Sequence, residues 1–246
     1  MKQIVAMGGG GFSMEPENPL LDRYVLGLTG KIRPKVCFLP TASGDAEGYI
    51  VNFYRAMTQL GAEPSHLSLL RPTIRDMAAH LLVQDVIYVG GGNTKNMLAL
   101  WREWELDQVL RTAWEQGIIL AGLSAGAICW FEQGVTDSIP GELTAIRGLG
   151  FLKGSHCPHY DGEAERRPAY HRLRKAGVLA DGIAAEDGVA LHYIGDHLVR
   201  VVSSRPKAKA YWVYVMDGVV REEPIDPVYL GDSLPLTETA RGVDRA

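Results

Sequence analysis

The chain of 246 residues has little cysteine, no cluster of basic residues and no long apolar run. Its three cysteines, Cys37, Cys129 and Cys157, are too few for a disulfide framework, and none lies in a Cys-x-x-Cys pair. This usage favours a reducing compartment, so we expect a cytoplasmic protein. The apolar run at residues 2–7 is shorter than a signal peptide requires, and no stretch approaches transmembrane length. No membrane partner is expected.

Charge is balanced and dispersed along the chain. Lys and Arg total 25 and Asp and Glu total 29, which gives a formal net charge of −4. The lack of a basic stretch argues against nucleic acid as a partner. We find no repeat, linker or shift in composition, and therefore expect one domain over residues 1–246, with residues 231–246 as a flexible tail. The sequence leaves open whether the protein is a monomer or a homodimer.

Short apolar runs alternate with helix-like segments, which predicts an α/β fold with a mostly parallel sheet covered on both faces. Strands are expected at residues 2–7, 35–40, 85–89 and 118–121. Each of the strands at 2–7, 35–40 and 85–89 ends in a glycine-containing turn, which is typical of strand-to-helix connections in such folds.

The second half of the chain has a different pattern. Residues 132–167 are rich in Gly, Pro and Asp, which predicts loops around a site. Residues 190–203 and 210–216 have the pattern of antiparallel strands, and Asp217-Gly218 is a typical hairpin turn.

The sequence Gly-Leu-Ser-Ala-Gly at residues 122–126 lies between a predicted buried strand and a helix. A strand–turn–helix elbow exposes the serine hydroxyl, and flanking glycines relieve crowding in the strained turn. The same turn would direct the N–H of Ala125 at a developing oxyanion. This context predicts Ser124 as a nucleophile, although a Gly/Ser turn without chemistry also fits the five residues.

A second glycine-rich turn, Gly-Gly-Gly-Asn-Thr at residues 90–94, also follows a strand and precedes a helix that Asn93 would cap. No G-x-G-x-x-G or Gly-Lys-Ser/Thr pattern follows, so nucleotide binding has little support. If the two strands are neighbours, Gly92 or Gly91 would offer a second oxyanion donor. An ordinary strand-to-helix turn remains the alternative.

A serine nucleophile needs a base and an acid that orients it. His159 and His156 are the two histidines in the loop-like region after the elbow, and His159, next to Pro158, is favoured. Glu186, Asp187 and Asp137 are the candidate acids, and spacing along the chain does not choose among them.

Together these motifs resemble the peptidase E (aspartyl dipeptidase) family of serine peptidases. The resemblance rests on the turns at 90–94 and 122–127, on Pro158-His159 and on Glu186, and extends to the segments at 7–12 and 39–42. It covers about residues 2–220.

The resemblance implies a three-layer αβα sandwich like that of class I glutamine amidotransferases, with Ser124, His159 and Glu186 as a triad. It implies hydrolysis of short peptides through an acyl-enzyme, without metal or cofactor. Oxyanion donors would be Ala125 and Gly92, with Gly91 as the alternative.

Substrate recognition is also implied by the resemblance. Members that cleave aspartyl dipeptides hold the acidic side chain with an arginine downstream of the histidine, and Arg166 is the better match here, followed by Arg167. A guanidinium grips a carboxylate with two hydrogen bonds. Asn93 and Tyr160 are further candidates for substrate contacts.

Three other functions remain open. A cyanophycinase-like or isoaspartyl peptidase shares the triad pattern. An α/β-hydrolase would need a histidine after the acid, such as His192 or His197. A catalytically silent protein of the same fold would use the glycine-rich cleft to hold a small anion.

Overall fold

A computed structural model describes residues 1–232 of the chain. The predicted flexible tail at 231–246 therefore lies outside the described residues, apart from its first two positions.

The described chain contains strands in two sheets and helices that cover them. The strands are β1 (Gln3–Met7), β2 (Lys35–Leu39), β3 (Glu63–His66), β4 (Val86–Val89), β5 (Ile119–Leu123), β6 (Phe131–Thr136), β7 (Thr144–Arg147), β8 (Leu152–Cys157), β9 (Gly182–Ala185), β10 (Val189–Ile194), β11 (His197–Ser203), β12 (Ala210–Met216), β13 (Val219–Ile225) and β14 (Val228–Tyr229). The helices are α1 (Gly11–Met14), α2 (Leu20–Gly27), α3 (Glu47–Gln59), α4 (Met77–Leu81), α5 (Thr94–Glu103), α6 (Leu106–Glu115), α7 (Ala125–Ile128) and α8 (Arg166–Lys175).

The larger sheet has eight strands in the order β14-β11-β10-β1-β5-β4-β2-β3. Its central part, from β1 to β3, is parallel throughout. Strands β4 and β5 are buried at every position, as expected where helices cover both faces of a parallel sheet. One face packs on α1, α2 and α3, and the other packs on α4, α5, α6 and part of the second sheet. The predicted α/β fold is confirmed.

Parallel pairing places the functional turns side by side. The carboxyl ends of β1, β5, β4 and β2 meet at one edge of the sheet, because these strands are consecutive neighbours. The turns that follow them hold residues 8–11, Ser124, residues 90–92 and residues 40–44. Ligand sites in open α/β sheets lie at this edge.

The second sheet, ordered β13-β12-β9-β8-β6-β7, corrects the prediction that residues 132–167 are loops. Most of β6 and all of β7 and β8 lie in that region. The sequence hides β8 because its buried end is polar: Ser155 and His156 are fully buried. Ser155 Oγ bonds to Tyr170 Oη at 2.7 Å, and His156 Nδ1 bonds to the Ile183 carbonyl at 2.9 Å.

The antiparallel strands near the carboxyl end are confirmed in outline. The segment at 190–203 is two strands, β10 and β11, joined by a turn at Gly195. Asp217 and Gly218 join β12 to β13 with φ values of 52° and 74°, as a type I′ hairpin requires. In the described part of the chain, no helix combines the length and the apolar character needed to cross a bilayer.

Candidate active site

Ser124 lies in the strand–turn–helix elbow that the sequence predicts. Its backbone has φ 54° and ψ −115°, a strained conformation for a residue with a side chain, between β5 and α7. Close packing explains the flanking glycines. A Cβ at Gly122 would lie 2.2 Å from the Gly126 carbonyl oxygen, and one at Gly126 would lie 2.3 Å from that of Val89. The elbow therefore forms only where both flanking side chains are absent.

Two backbone amides beside Ser124 are available to an oxyanion. Among residues 1–232, no protein acceptor binds the N–H of Ala125 or that of Gly92. The N–H of Gly91 instead donates to Tyr49 Oη at 3.2 Å. Gly92 has φ 133°, and a Cβ there would lie 2.2 Å from the Ala42 carbonyl oxygen. The geometry therefore favours Gly92 over Gly91 as the partner of Ala125.

His159 is held by Asp187. His159 Nδ1 and Asp187 Oδ1 are 2.6 Å apart, and both side chains are buried. His159 also has a left-handed backbone, with φ 53°, and its N–H donates to the Gly8 carbonyl at 3.1 Å. A Cβ on Gly9 would lie 2.0 Å from Asp187 Oδ1 and 2.9 Å from His159 Cε1. The turn after β1 therefore packs directly on the His–Asp pair.

Consecutive carbonyls at the end of β1 and the start of this turn anchor Ser124 and His159. The N–H of Ser124 donates to the Met7 carbonyl at 3.1 Å, as that of His159 does to Gly8. Both residues have a positive φ, so their side chains leave the backbone in directions that ordinary strand geometry does not give. The end of β1 thus fixes the two side chains relative to one another.

The predicted pairing of His159 with Glu186 is corrected. Glu186 Oε2 accepts from the Lys209 N–H at 2.8 Å, and Oε1 accepts from Tyr211 Oη at 3.0 Å. Its carboxylate is thereby committed to β12 and the segment before it. Asp187, the alternative acid, takes the histidine because consecutive side chains after β9 leave the backbone in different directions.

The other histidine and acid candidates lie elsewhere. His156 is fully buried and stacks on Phe131, with ring centroids 4.8 Å apart. Burial lowers the pKa of His156 to about 4, although the hydrogen bond to the Ile183 carbonyl acts in the opposite direction. Asp137 is mostly exposed, and its carboxylate lies 3.7 Å from Arg166 Nη2. His156 is therefore not placed to act as the base for Ser124, and Asp137 is not placed to orient His159.

The prediction that Arg166 binds a substrate carboxylate is not supported by its surroundings. Its side chain is only 1% exposed. Nε donates to Glu163 Oε2 at 2.6 Å, and Nη1 donates to the Val135 carbonyl at 3.0 Å. The guanidinium is therefore used within the protein, and it ties the start of α8 to β6.

Tyr160 and Asn93 are also engaged by the protein. The Tyr160 hydroxyl bonds to Glu222 and, at 3.1 Å, to His171 Nε2. Asn93 caps α5 as predicted, since its Oδ1 accepts from the Asn96 N–H at 2.9 Å. Its Nδ2 donates to the Ser138 carbonyl at 3.0 Å. Both side chains therefore hold loops near the site, and substrate contact by either one stays a prediction.

Arg167, the second arginine candidate, is more open. Its side chain is 43% exposed, and its guanidinium lies over the rings of Tyr160 and Tyr211 at 4.6 and 4.8 Å from their centroids. Glu222 lies 3.5 Å from its Nε. It belongs to the same network that engages Tyr160.

Sequence reasoning missed a buried carboxyl beneath the first glycine turn. Asp22 is 1% exposed and accepts from Tyr88 Oη at 3.0 Å. Burial raises its pKa to about 7, while the hydrogen bonds from Tyr88 and from the Phe12 backbone oppose the rise. A Cβ on Gly11 would lie 3.2 Å from Asp22 Oδ1. Nothing in the local sequence distinguishes Asp22 from an exposed residue in the first turn of a helix.

Within residues 1–232, no group of three or more His, Cys, Asp or Glu side chains is arranged to hold a metal ion.

Comparison with known proteins places the chain in a family. Residues 4–201 match the sequence profile of Peptidase family S51. The chain is 57% identical over 231 residues to the uncharacterized peptidase YgaJ of Bacillus subtilis, across 94% of this chain and 100% of that protein.

Two solved structures share the fold. A peptidase from an acI-B1 actinobacterium has a TM-score of 0.63 and 20% identity, across 92% of this chain and 95% of its own. A candidate peptidase E protein from Listeria monocytogenes has a TM-score of 0.53 and 18% identity, across 92% of this chain and all of its own. The resemblance found in the sequence is confirmed, and the chain belongs to peptidase family S51.

Proposed function

We propose that the protein is a serine peptidase in which Ser124 attacks the scissile carbonyl, His159 is the base and Asp187 orients the histidine. The observation that carries this proposal is the shared anchorage of Ser124 and His159 on the consecutive carbonyls of Met7 and Gly8. Asp187 holds Nδ1 of the ring, which leaves Nε2 to take a proton.

The reaction proceeds in two halves. Ser124 Oγ bonds to the carbonyl carbon as its proton passes to His159 Nε2, and the resulting oxyanion accepts hydrogen bonds from the N–H groups of Gly92 and Ala125. The C–N bond then breaks, and the leaving amine takes the proton from His159. Water, deprotonated by the same nitrogen, attacks the acyl carbon. The bond from that carbon to Ser124 Oγ then breaks, the proton returns from His159 to Oγ, and the acid is released.

The proposed substrates are short peptides, and dipeptides with an N-terminal Asp are the first to examine. Membership of the family supports peptidase activity. The preference for dipeptides and for an N-terminal Asp is proposed in addition. Since Arg166 is used within the protein, a substrate aspartate would need another cation, such as the half-exposed Arg167.

The test is hydrolysis of Asp-Leu, isoAsp-Leu, Ala-Leu, Glu-Leu and Lys-Leu by wild type, Ser124→Ala and Ser43→Ala. Ser43 is the matched control, because its hydroxyl is bonded to the Pro40 carbonyl in a neighbouring turn. We expect Ser124→Ala to lose activity by about 10⁴-fold or more and Ser43→Ala to keep it. Labelling by a fluorophosphonate, located by mass spectrometry, should occur at Ser124 alone.

Each outcome has a distinct meaning. Turnover retained by Ser124→Ala would reject the nucleophile. Cleavage of isoAsp-Leu alone would favour a β-aspartyl peptidase, and cleavage of Ala-Leu or Lys-Leu as fast as Asp-Leu would reject the Asp preference. A folded wild-type protein that cleaves none of the peptides and resists labelling would favour a silent anion-binding protein.

A further inference from the structure

A cavity lies between α5 and the edge strand β7, and none of the proposed catalytic residues lines it. Its volume is about 350 Å³, which is within the range of small-molecule sites. The wall is apolar and comes from both elements: Leu98 and Ala99 on α5, Ala145 and Ile146 on β7, and Ile139 on the connection between β6 and β7. Apolar walls of this size suit a ligand with a hydrocarbon body.

Three cations surround this cavity. Lys95 and Arg102 are seven residues apart on α5 and so share a face of the helix, and Arg147 stands at the end of β7. No acidic residue lines the cavity. Within residues 1–232, none of the three cations forms an ion pair, although the chain has a net charge of −4.

Two of the three hydroxyl side chains that line the cavity, those of Thr136 and Ser138, are bonded to each other. Thr136 Oγ1 and Ser138 Oγ are 2.7 Å apart, and Ser138 Oγ accepts from the Lys95 N–H at 3.1 Å. The polar character that the cavity offers a ligand is therefore mainly positive charge. Charge complementarity selects an anion, and the apolar wall selects one with a hydrocarbon body.

We propose that this cavity, hereafter the α5–β7 cavity, binds a small organic carboxylate with an apolar body, such as a medium-chain acyl carboxylate. The apolar body packs against Leu98, Ala99 and Ile146, and the carboxylate meets Arg102 and Arg147. A guanidinium pairs with a carboxylate through two parallel hydrogen bonds, which is why the arginines carry the recognition. The site lies outside the catalytic residues, so binding does not depend on Ser124.

The test is calorimetric titration of the full chain with octanoate and, as a neutral match, octanamide. We expect saturable octanoate binding with a Kd of about 1 mM or tighter, a reasonable affinity for a ligand of about ten heavy atoms. Octanamide should bind at least about tenfold more weakly, because charge-assisted hydrogen bonds are lost. Ser124→Ala should bind octanoate as wild type does.

Variants locate the site. Arg102→Gln and Arg147→Gln should each weaken octanoate binding about tenfold. Lys153→Gln, which removes an equal charge from the exposed pair with Asp196, should not. Ala99→Phe should block binding by filling the cavity without changing charge. Thermal unfolding of each variant checks that it is folded.

Three results would overturn the proposal. They are the absence of saturable octanoate binding, equal binding of octanoate and octanamide, and unchanged octanoate binding by the Arg102→Gln/Arg147→Gln double variant. None of these results bears on hydrolysis at Ser124, so the proposed function is tested separately.

Discussion

The two glycine-rich turns at the edge of the large sheet look alike in sequence but contribute differently to the site. The turn at 8–11 packs on the His–Asp pair, and a Cβ on Gly9 would lie 2.0 Å from Asp187 Oδ1. The turn at 90–92 faces the serine instead, and a Cβ on Gly91 would lie 3.3 Å from Ser124 Cβ. The first turn brings its backbone against the side chains of the His–Asp pair, and the second presents backbone N–H groups beside the serine.

The supports beneath the two turns differ as well. Tyr49 Oη accepts from the N–H of Gly91, so an aromatic cluster with Phe12 and Phe38 positions the second turn. Beneath the first turn lies Asp22, bonded to Tyr88. Glycine runs therefore mark where a backbone must approach closely, and the neighbouring side chains decide what that approach achieves.

The largest effect on kcat is expected at Asp187, the acid on which the first turn packs. On the proposed mechanism, Asp187→Asn should lower kcat by about 10⁴-fold, the loss seen when the orienting acid of a well-studied serine protease becomes an amide. Glu186→Gln, the matched change at the neighbouring residue, should lower kcat far less, because Glu186 bonds to Lys209 and Tyr211. Steady-state kinetics on the best dipeptide measures both. A greater loss for Glu186→Gln would restore the pairing that the sequence implied.

The glycines themselves provide the next test. Gly9→Ala should lower kcat by about 10²-fold or more, since the methyl group displaces Asp187 and the ring of His159. Gly91→Ala is the matched control: the nearest atoms to its Cβ are Leu123 Cδ1 at 3.2 Å and Ser124 Cβ at 3.3 Å, so a small shift accommodates it. We expect less than about a tenfold loss there. Equal losses in two folded variants would show that the turns do not differ as described.

The smallest effect concerns stability and pH. Burial raises the pKa of Asp22 to about 7, from an ordinary value of 3.8, so the folded chain holds this proton more tightly than the unfolded chain does. Stability therefore falls as pH rises from about 4 towards 7. Between pH 5 and pH 8 the expected loss is a few kcal/mol of unfolding free energy.

Asp22→Asn removes this titration and should lack that part of the pH dependence. Urea unfolding at pH 5 and pH 8 measures the difference, with Asp107→Asn on α6 as the control. If wild type and Asp22→Asn lose the same stability between the two pH values, the Asp22 carboxyl is already ionised in the folded protein at pH 5.

Much of the fold could be predicted from the sequence, because strands buried on both faces are continuous apolar runs. Strands β1, β2, β4 and β5 were found in this way, and the elbow at Ser124 followed from its position after one of them. Strand β8 could not be found, since its buried end is polar and the partners that Ser155 Oγ and His156 Nδ1 bond to are distant in sequence.

For the candidate site, the sequence by itself predicted the serine, the histidine and the pair of adjacent acids, because strand–turn–helix context and residue chemistry are local properties. Only the tertiary structure decided that Asp187 meets His159 while Glu186 meets Tyr211, and that Arg166 is enclosed by Glu163 and the Val135 carbonyl. The physical reason is that the direction of a side chain and the partners that satisfy its charge depend on strands far apart in the chain. Residue order alone does not record them.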